Sequence, residues 1–363
     1  MHSMRIKEMQ AGSKYTSYLP KGCRSCRQGA KLVLLVTGKC DIGCFYCPLS
    51  SEKRGRVVVF ADEVSVHGDE DILKEAISIG AKGTGITGGD PLKVLDQVLG
   101  YIRLLKDAFG VDHHVHLYTS TIDREAFLQL QEAGLDELRI HPRFELWSDP
   151  ERIGLEGALK GLRMDLGIEI PAIPGMEGAI EALIRHADRI GMRFVNLNEL
   201  EFSETNSRAL RNRGIDTGDG SSSYAVGSEE LALRMMRLDV KIPIHYCSSA
   251  FKDSVQLRNR MKRRARRTSR PSDLITSEGT ILKGVVEGAE AKKAMDHLRT
   301  HFDVPKRLMH FDREKERLEV APWVLQELSG RLPFDSFIVE EYPTADRLEV
   351  EKEMLPRKKG KGK

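Results

Sequence analysis

No stretch of this chain is apolar for long enough to cross a bilayer, and the opening MHSMRIKEMQAG has no apolar core of signal-peptide length. The sequence therefore reads as cytoplasmic rather than exported or membrane-embedded. A disulfide framework is lacking too. Six cysteines are spread over 363 residues, grouped as Cys23 and Cys26, then Cys40, Cys44 and Cys47, then Cys247. Clusters of this kind in a reducing compartment point to metal binding. No motif recurs at solenoid period, which excludes a stacked-repeat architecture. Net charge is nearly absent, with 57 Lys and Arg against 54 Asp and Glu for a formal +3, so bulk charge does not mark the chain as a nucleic-acid binder. Hydrophobic residues at 40% and charged residues at 31% describe a globular protein with a heavily charged surface. The length suits one large domain with a smaller one attached.

Between Lys31 and Cys247 short apolar runs alternate with amphipathic helical patterns. Strands are expected at 31–38, 84–87, 114–119, 137–141, 168–173, 194–198 and 241–246. Helices are expected near 69–80, 93–108, 122–132, 150–163, 177–190 and 228–238. Alternation of this kind requires right-handed crossovers onto a parallel sheet, with function at the C-terminal strand ends. The fold class is α/β, a partial or complete (βα) barrel, followed by a small α+β domain. The expected division is a leader over 1–30 carrying Cys23 and Cys26, a barrel over 31–270, an accessory domain over 271–355 joined at the Arg270-Pro271 breaker, and a disordered basic tail over 356–363.

The spacing Cys40-x3-Cys44-x2-Cys47 follows the first strand. Three thiolates in eight residues can hold three irons of a [4Fe-4S] cube, leaving the fourth iron open. With Tyr46 before the last cysteine and Gly88, Gly89 and Asp90 after the second strand, this segment resembles the radical SAM superfamily, in the branch related to glycyl-radical-enzyme activating enzymes. The resemblance implies a partial (βα)6 barrel, a cluster on Cys40, Cys44 and Cys47, and S-adenosylmethionine bound at the open iron and cleaved to a 5'-deoxyadenosyl radical. It also implies an electron donor such as ferredoxin or flavodoxin. Two glycines let the backbone turn tightly beside a cofactor, and the Asp90 carboxylate is placed to accept from the cofactor's ammonium group. The family usually has Glu here, so Asp90 has the shorter reach, and a Gly88 or Gly89 carbonyl is the alternative contact. Further cofactor contacts implied by the resemblance are Thr119 and Ser120, Arg139 or His141, the segment Pro171 to Gly175 beside the adenine, and Asn196, Asn198 and Glu199 near the ribose or substrate. Arg139 and His141 share one face of their strand, where a structural ion pair is the competing role.

A second metal site is expected from Cys23 and Cys26, spaced for one ion, with His245 and Cys247 on one side of the last barrel strand. It would hold zinc or an auxiliary iron-sulfur cluster, and it requires residues 23–29 to rise from the barrel bottom. Otherwise Cys23 and Cys26 are free thiols on a surface turn and Cys247 is core. Residues 258–270 hold eight basic residues and no acidic one, on a helix continuing from Phe251. Such a helix suits RNA phosphates, or its arginines pair with the acidic C-terminal domain. The reading is a radical SAM enzyme that modifies a macromolecule, possibly RNA. The alternatives are an activating enzyme for a partner protein and an iron-sulfur electron carrier or sensor. About thirty residues before the first strand are too few for a cobalamin-binding domain.

Overall fold

The computed structural model describes residues 6–218 and 223–357; the greater part of the expected basic tail, 358–363, lies outside the described residues. The chain divides into two compact units, Met1–Ile77 with Ala81–Leu257, and Ser78–Gly80 with Arg258–Lys363. The division falls between Leu257 and Arg258, inside a helical run continuous from Ser249 to Thr268, rather than at Arg270-Pro271.

In the first unit seven strands, β1 Lys31–Leu35, β2 Gly83–Thr87, β3 His114–Thr119, β4 Glu137–Ile140, β5 Asp165–Ala172, β6 Phe194–Glu199 and β7 Ile244–Cys247, pair in parallel in chain order. Among the described residues β1 and β7 share no ladder, so the barrel is partial. The edge at β1 is covered by Phe60–Ala61, and that at β7 by Lys14–Tyr15, both antiparallel. The crossovers are helices whose apolar stripes face the sheet. In Leu95–Phe109, for instance, Val98, Leu99, Ile102 and Leu105 are buried, each worth about 1.5–3 kcal/mol on burial. The helix expected over 150–163 is instead a 3-10 turn, Pro150–Ile153, and a short helix, Leu155–Leu159, separated by Gly154 at φ +77°, a left-handed conformation that glycine adopts without strain.

Strand alternation sorts the side chains. Val115 and Leu117 of β3 face the helices, whereas His116 and Tyr118 point the other way, paired in register with Glu137 and Arg139 of β4. The same inward row continues with Glu169, Asn196 and His245 on β5, β6 and β7, each opposite the next. The bore of the barrel is therefore polar.

Cys23 and Cys26 sit on a helix, α1 Lys21–Arg27, not on a surface turn. This helix packs against β1, β2 and β3. A Cβ on Gly22 would lie 2.7 Å from Arg139 Nη2 and 2.8 Å from His116 Nδ1, so only glycine lets α1 come this close to the inward side chains. The thiols reach the bore by a helix inserted into it.

The second unit has a six-stranded antiparallel sheet: β8 Ile281–Glu287, β9 Met309–Asp312, β10 Arg317–Val320, β11 Phe337–Glu341 and β12 Glu349–Met354 in the order β9-β10-β8-β11-β12, with Leu274–Ile275 paired to β8. Its apolar core includes Val286, Leu298, Leu318, Leu325 and Phe334. Lys283, Arg317 and Arg347 pair with Glu319 and Glu341 inside the sheet.

Candidate active site

A cavity of about 1100 Å³ opens at the C-terminal ends of the barrel strands. Its wall includes Cys40, Cys44 and Cys47, Gly88 and Gly89, Thr119 and Ser120, and Pro171. Its lining also includes Cys23, Cys26, Lys31, Arg139, Glu169, Asn196, Asn198, His245 and Cys247. Both cysteine groups thus face one space.

The cysteine loop is held at nearly every residue on its C-terminal side. Arg213 lies over the Phe45 ring, 4.0 Å from its centroid. Asn206, 1% exposed, donates to the Tyr46 carbonyl at 2.9 Å and to the Glu201 carbonyl at 2.9 Å. Thr205 Oγ1 donates to the Cys47 carbonyl at 3.3 Å, and Arg54 donates to the same oxygen at 2.9 Å. Phe202 to Arg213 follow β6, which stands at the opposite side of the open sheet from β1, so these contacts bridge the unpaired gap across the barrel top. Replacing Asn206 by Ala removes two bonds to buried carbonyls. The expected cost is about 1–3 kcal/mol, read as a lower urea midpoint of the metal-free chain; an unchanged midpoint would rule out the clamp.

Tyr46 also anchors the loop inward. His141 Nδ1 is 2.8 Å from the Glu169 carbonyl, which only accepts, so Nδ1 carries the proton and Nε2 accepts from the Tyr46 hydroxyl at 2.9 Å. Burial lowers the His141 pKa, which agrees with this neutral tautomer. His141 is thereby committed to the loop and to β5.

Asp90, expected to meet the cofactor, is 2% exposed and is not part of the cavity wall. Its carboxylate accepts from Thr119 Oγ1 at 2.7 Å, Thr121 Oγ1 at 2.7 Å, Thr121 N at 3.0 Å and Leu92 N at 3.1 Å. It ties the end of β2 to the end of β3. Gly88 and Gly89 do reach the cavity. A Cβ on Gly89 would stand 2.2 Å from the Lys39 carbonyl, so the glycine pair lets this turn lie flat against the cysteine loop.

Arg139 is 1% exposed and bonds Glu137 and Glu169, each at 2.5 Å. The ion-pair role expected as its alternative is the one the geometry gives it. Glu169, which the sequence reading missed, also accepts from Asn196 at 3.0 Å and Asn198 at 2.9 Å. The available signal was a lone carboxylate at an inward position between Ile168 and Ile170. Lys31 was missed as well. Burial would lower its pKa, but Cys26 and Tyr118 raise it overall. Glu199 lines the cavity and accepts from Ser249 N at 2.7 Å, joining β6 to the end of β7.

Among the described residues no three Cys, His, Asp or Glu side chains converge as ligands of a single metal ion. Of the residues expected at the second site, Cys23 lies 3.4 Å from Arg139 Nη2, and His245 Nδ1 bonds the Asn196 side-chain oxygen. That oxygen only accepts, so His245 Nε2 is left a bare acceptor, without a partner. Burial pushes the Cys23 thiol up to about 11 and raises Cys247. A four-iron cube spreads its ligands over a wider shell than one ion does. Cys40, Cys44 and Cys47, all free thiols on one loop facing the cavity, fit such a cube.

In the basic run, Arg258 pairs with Glu278 and Arg270 with Glu319, while Arg263 and Arg264 donate to backbone carbonyls of Ile79 and Pro343. Arg260 and Arg264 are buried. The guanidiniums of Arg258, Arg263, Arg264 and Arg270 are used inside the second unit, while Arg266 and Arg267 of the basic helix are exposed.

The radical SAM superfamily model matches residues 34–142, and one described as a domain of unknown function (DUF8061) matches 279–355. Together with a full-length relative, this places the chain: it belongs to the radical SAM superfamily. That relative, a Methanocaldococcus jannaschii protein named "Putative glycyl-radical enzyme activating enzyme", is 37% identical over 360 residues, covering 94% of both chains. A Sulfurisphaera tokodaii protein named "Probable GTP 3',8-cyclase" is 25% identical over 189 residues, 52% of each. Among solved structures, Streptococcus suis SuiB bound to S-adenosylmethionine aligns with a TM-score of 0.39 at 12% identity, covering 69% of this chain and 59% of that one. The chain is a radical SAM enzyme in the activating-enzyme branch, a family that works with a [4Fe-4S] cluster, S-adenosylmethionine and a reductant. No helix among the described residues is long and apolar enough to cross a membrane.

Proposed function

We propose that Cys40, Cys44 and Cys47 hold a [4Fe-4S] cluster, and that the chain uses reductive cleavage of S-adenosylmethionine to abstract hydrogen from a polypeptide partner. The observation that carries this is a loop of three free cysteines, gripped from across the barrel, facing one large cavity at the strand ends. The cluster and cofactor supply the radical chemistry, while the protein supplies placement and exclusion of water. Gly88, Gly89, Thr119 and Ser120 form the wall nearest the cysteine loop and orient the cofactor there. Asp90 positions Thr119 rather than touching the cofactor. Pro171, Asn196 and Asn198 offer contacts to its nucleoside part or to substrate. A polypeptide is favoured over RNA by the name of the full-length relative and by the engagement of the basic helix.

Anaerobic reconstitution followed by a reductant tests the reading. About four irons per chain are expected, with release of 5'-deoxyadenosine. About eight would add an auxiliary cluster on Cys23, Cys26 and Cys247, and about four irons with one zinc would instead put zinc at that second site. Pulldown after anaerobic lysis is expected to recover one polypeptide; recovery of RNA instead would overturn the substrate class.

A further inference from the structure

The surface around the cysteine loop carries unpaired positive charge. Lys39 precedes Cys40, and both are exposed. Arg54 bonds the Cys47 carbonyl, the Arg56 carbonyl accepts from Gly38 N at 2.8 Å, and Arg213 covers Phe45; all three are exposed. None of these four cations has an ion-pair partner among the described residues, whereas nearby Lys93 is paired with Asp41. Glu52 is an exposed acid on the same stretch of chain.

We propose that Lys39, Arg54, Arg56 and Arg213 form the docking surface for an acidic one-electron carrier protein. This rests on the cluster reading above. The loop reaches solvent at Cys40, and electron transfer weakens steeply with distance, so a carrier must come to rest near this edge. Unpaired cations steer an acidic partner and orient it, and small charged contacts suit a transient redox encounter. RNA could meet the same cations, but nothing about RNA requires it to sit on an iron-ligating loop. The step is a single-electron transfer in which the carrier is oxidised and the cluster reduced.

The test is the double variant Lys39→Glu with Arg56→Glu, whose side chains touch neither cavity nor cysteines. Cluster bleaching is followed with a pre-reduced acidic flavodoxin and, separately, with dithionite. At low ionic strength the carrier-driven rate is expected to fall at least about tenfold, with the dithionite rate unchanged. Added salt should slow the natural chain toward the variant. Calorimetric binding of the flavodoxin to the metal-free chain should weaken in parallel, and this arm decides docking even if the cluster reading fails. A carrier rate and affinity equal in both chains, or RNA binding lost while carrier binding persists, would overturn the proposal. Failure of dithionite to bleach any cluster would instead count against the cluster reading alone.

Discussion

Cys44→Ala, reconstituted without oxygen and given reductant and S-adenosylmethionine, is expected to release no 5'-deoxyadenosine above background. Removing one thiolate from the loop leaves two on a cube that needs three protein ligands to keep a single corner open. The loop backbone does not depend on the missing sulfur. Phe45, Tyr46 and Cys47 are held by Arg213, Asn206, Thr205 and Arg54, and Tyr46 by His141. The metal-free variant should accordingly unfold close to the natural midpoint, so lost product would reflect lost cluster rather than lost fold. Cys247→Ala is the matched control. Its thiol lines the same cavity and lies against Phe251 and Val255, and it should keep its 5'-deoxyadenosine release. Undiminished product from Cys44→Ala would show that the cleavage site lies elsewhere.

The barrel was legible because its two periodicities are undisguised. Seven short runs carry an apolar outer face. Most of them have polar residues facing inward, the first with Val33 and Leu35 there instead. The intervening helices carry apolar stripes, so elements and order follow from local pattern. What stayed hidden depends on contacts between distant residues. The segment KGCRSCR has no apolar stripe because it fills a polar bore, where Gly22, Cys23 and Ser25 are its buried face; helical periodicity in hydrophobicity cannot mark such a helix. Asn206 gave no signal because its partner lies 160 residues away. The bonds Asp90 accepts from Thr119, at the end of the next strand, and from Thr121, just beyond it, had no local signal either. The basic run reads as cationic surface in one dimension, yet Arg260 and Arg264 are buried within it. Strand β12, EVEKEM, is exposed along its whole length, so burial left no pattern to detect.

Arg139→Met is expected to destabilise the metal-free chain by about 3–5 kcal/mol at neutral pH, the range for removing one partner from a buried ion pair. The reason is the company Arg139 keeps. Glu137 is 0% exposed and Glu169 is largely buried, and both bond the one guanidinium. Burial pushes the Glu169 carboxyl up, but Arg139, followed by Asn198, holds it below its ordinary 4.5 overall. A carboxylate whose folded pKa is depressed adds stability that is present above about 4.5 and is lost as pH falls through the lower folded value. In the variant the balance reverses. Burial without the cation raises the folded pKa of Glu169, so its carboxyl favours the protonated form, and the folded state recovers stability as pH drops. The gap between the two chains should therefore narrow from pH 7 toward pH 4. Urea unfolding across that range measures it, and a gap independent of pH would mean that the cost comes from lost packing against Tyr118 and Phe194, not from stranded charge. Because Glu169 in turn holds Asn196 and Asn198 in the cavity lining, the same substitution loosens that wall of the site, which joins the stability of the barrel to the shape of the cavity it encloses.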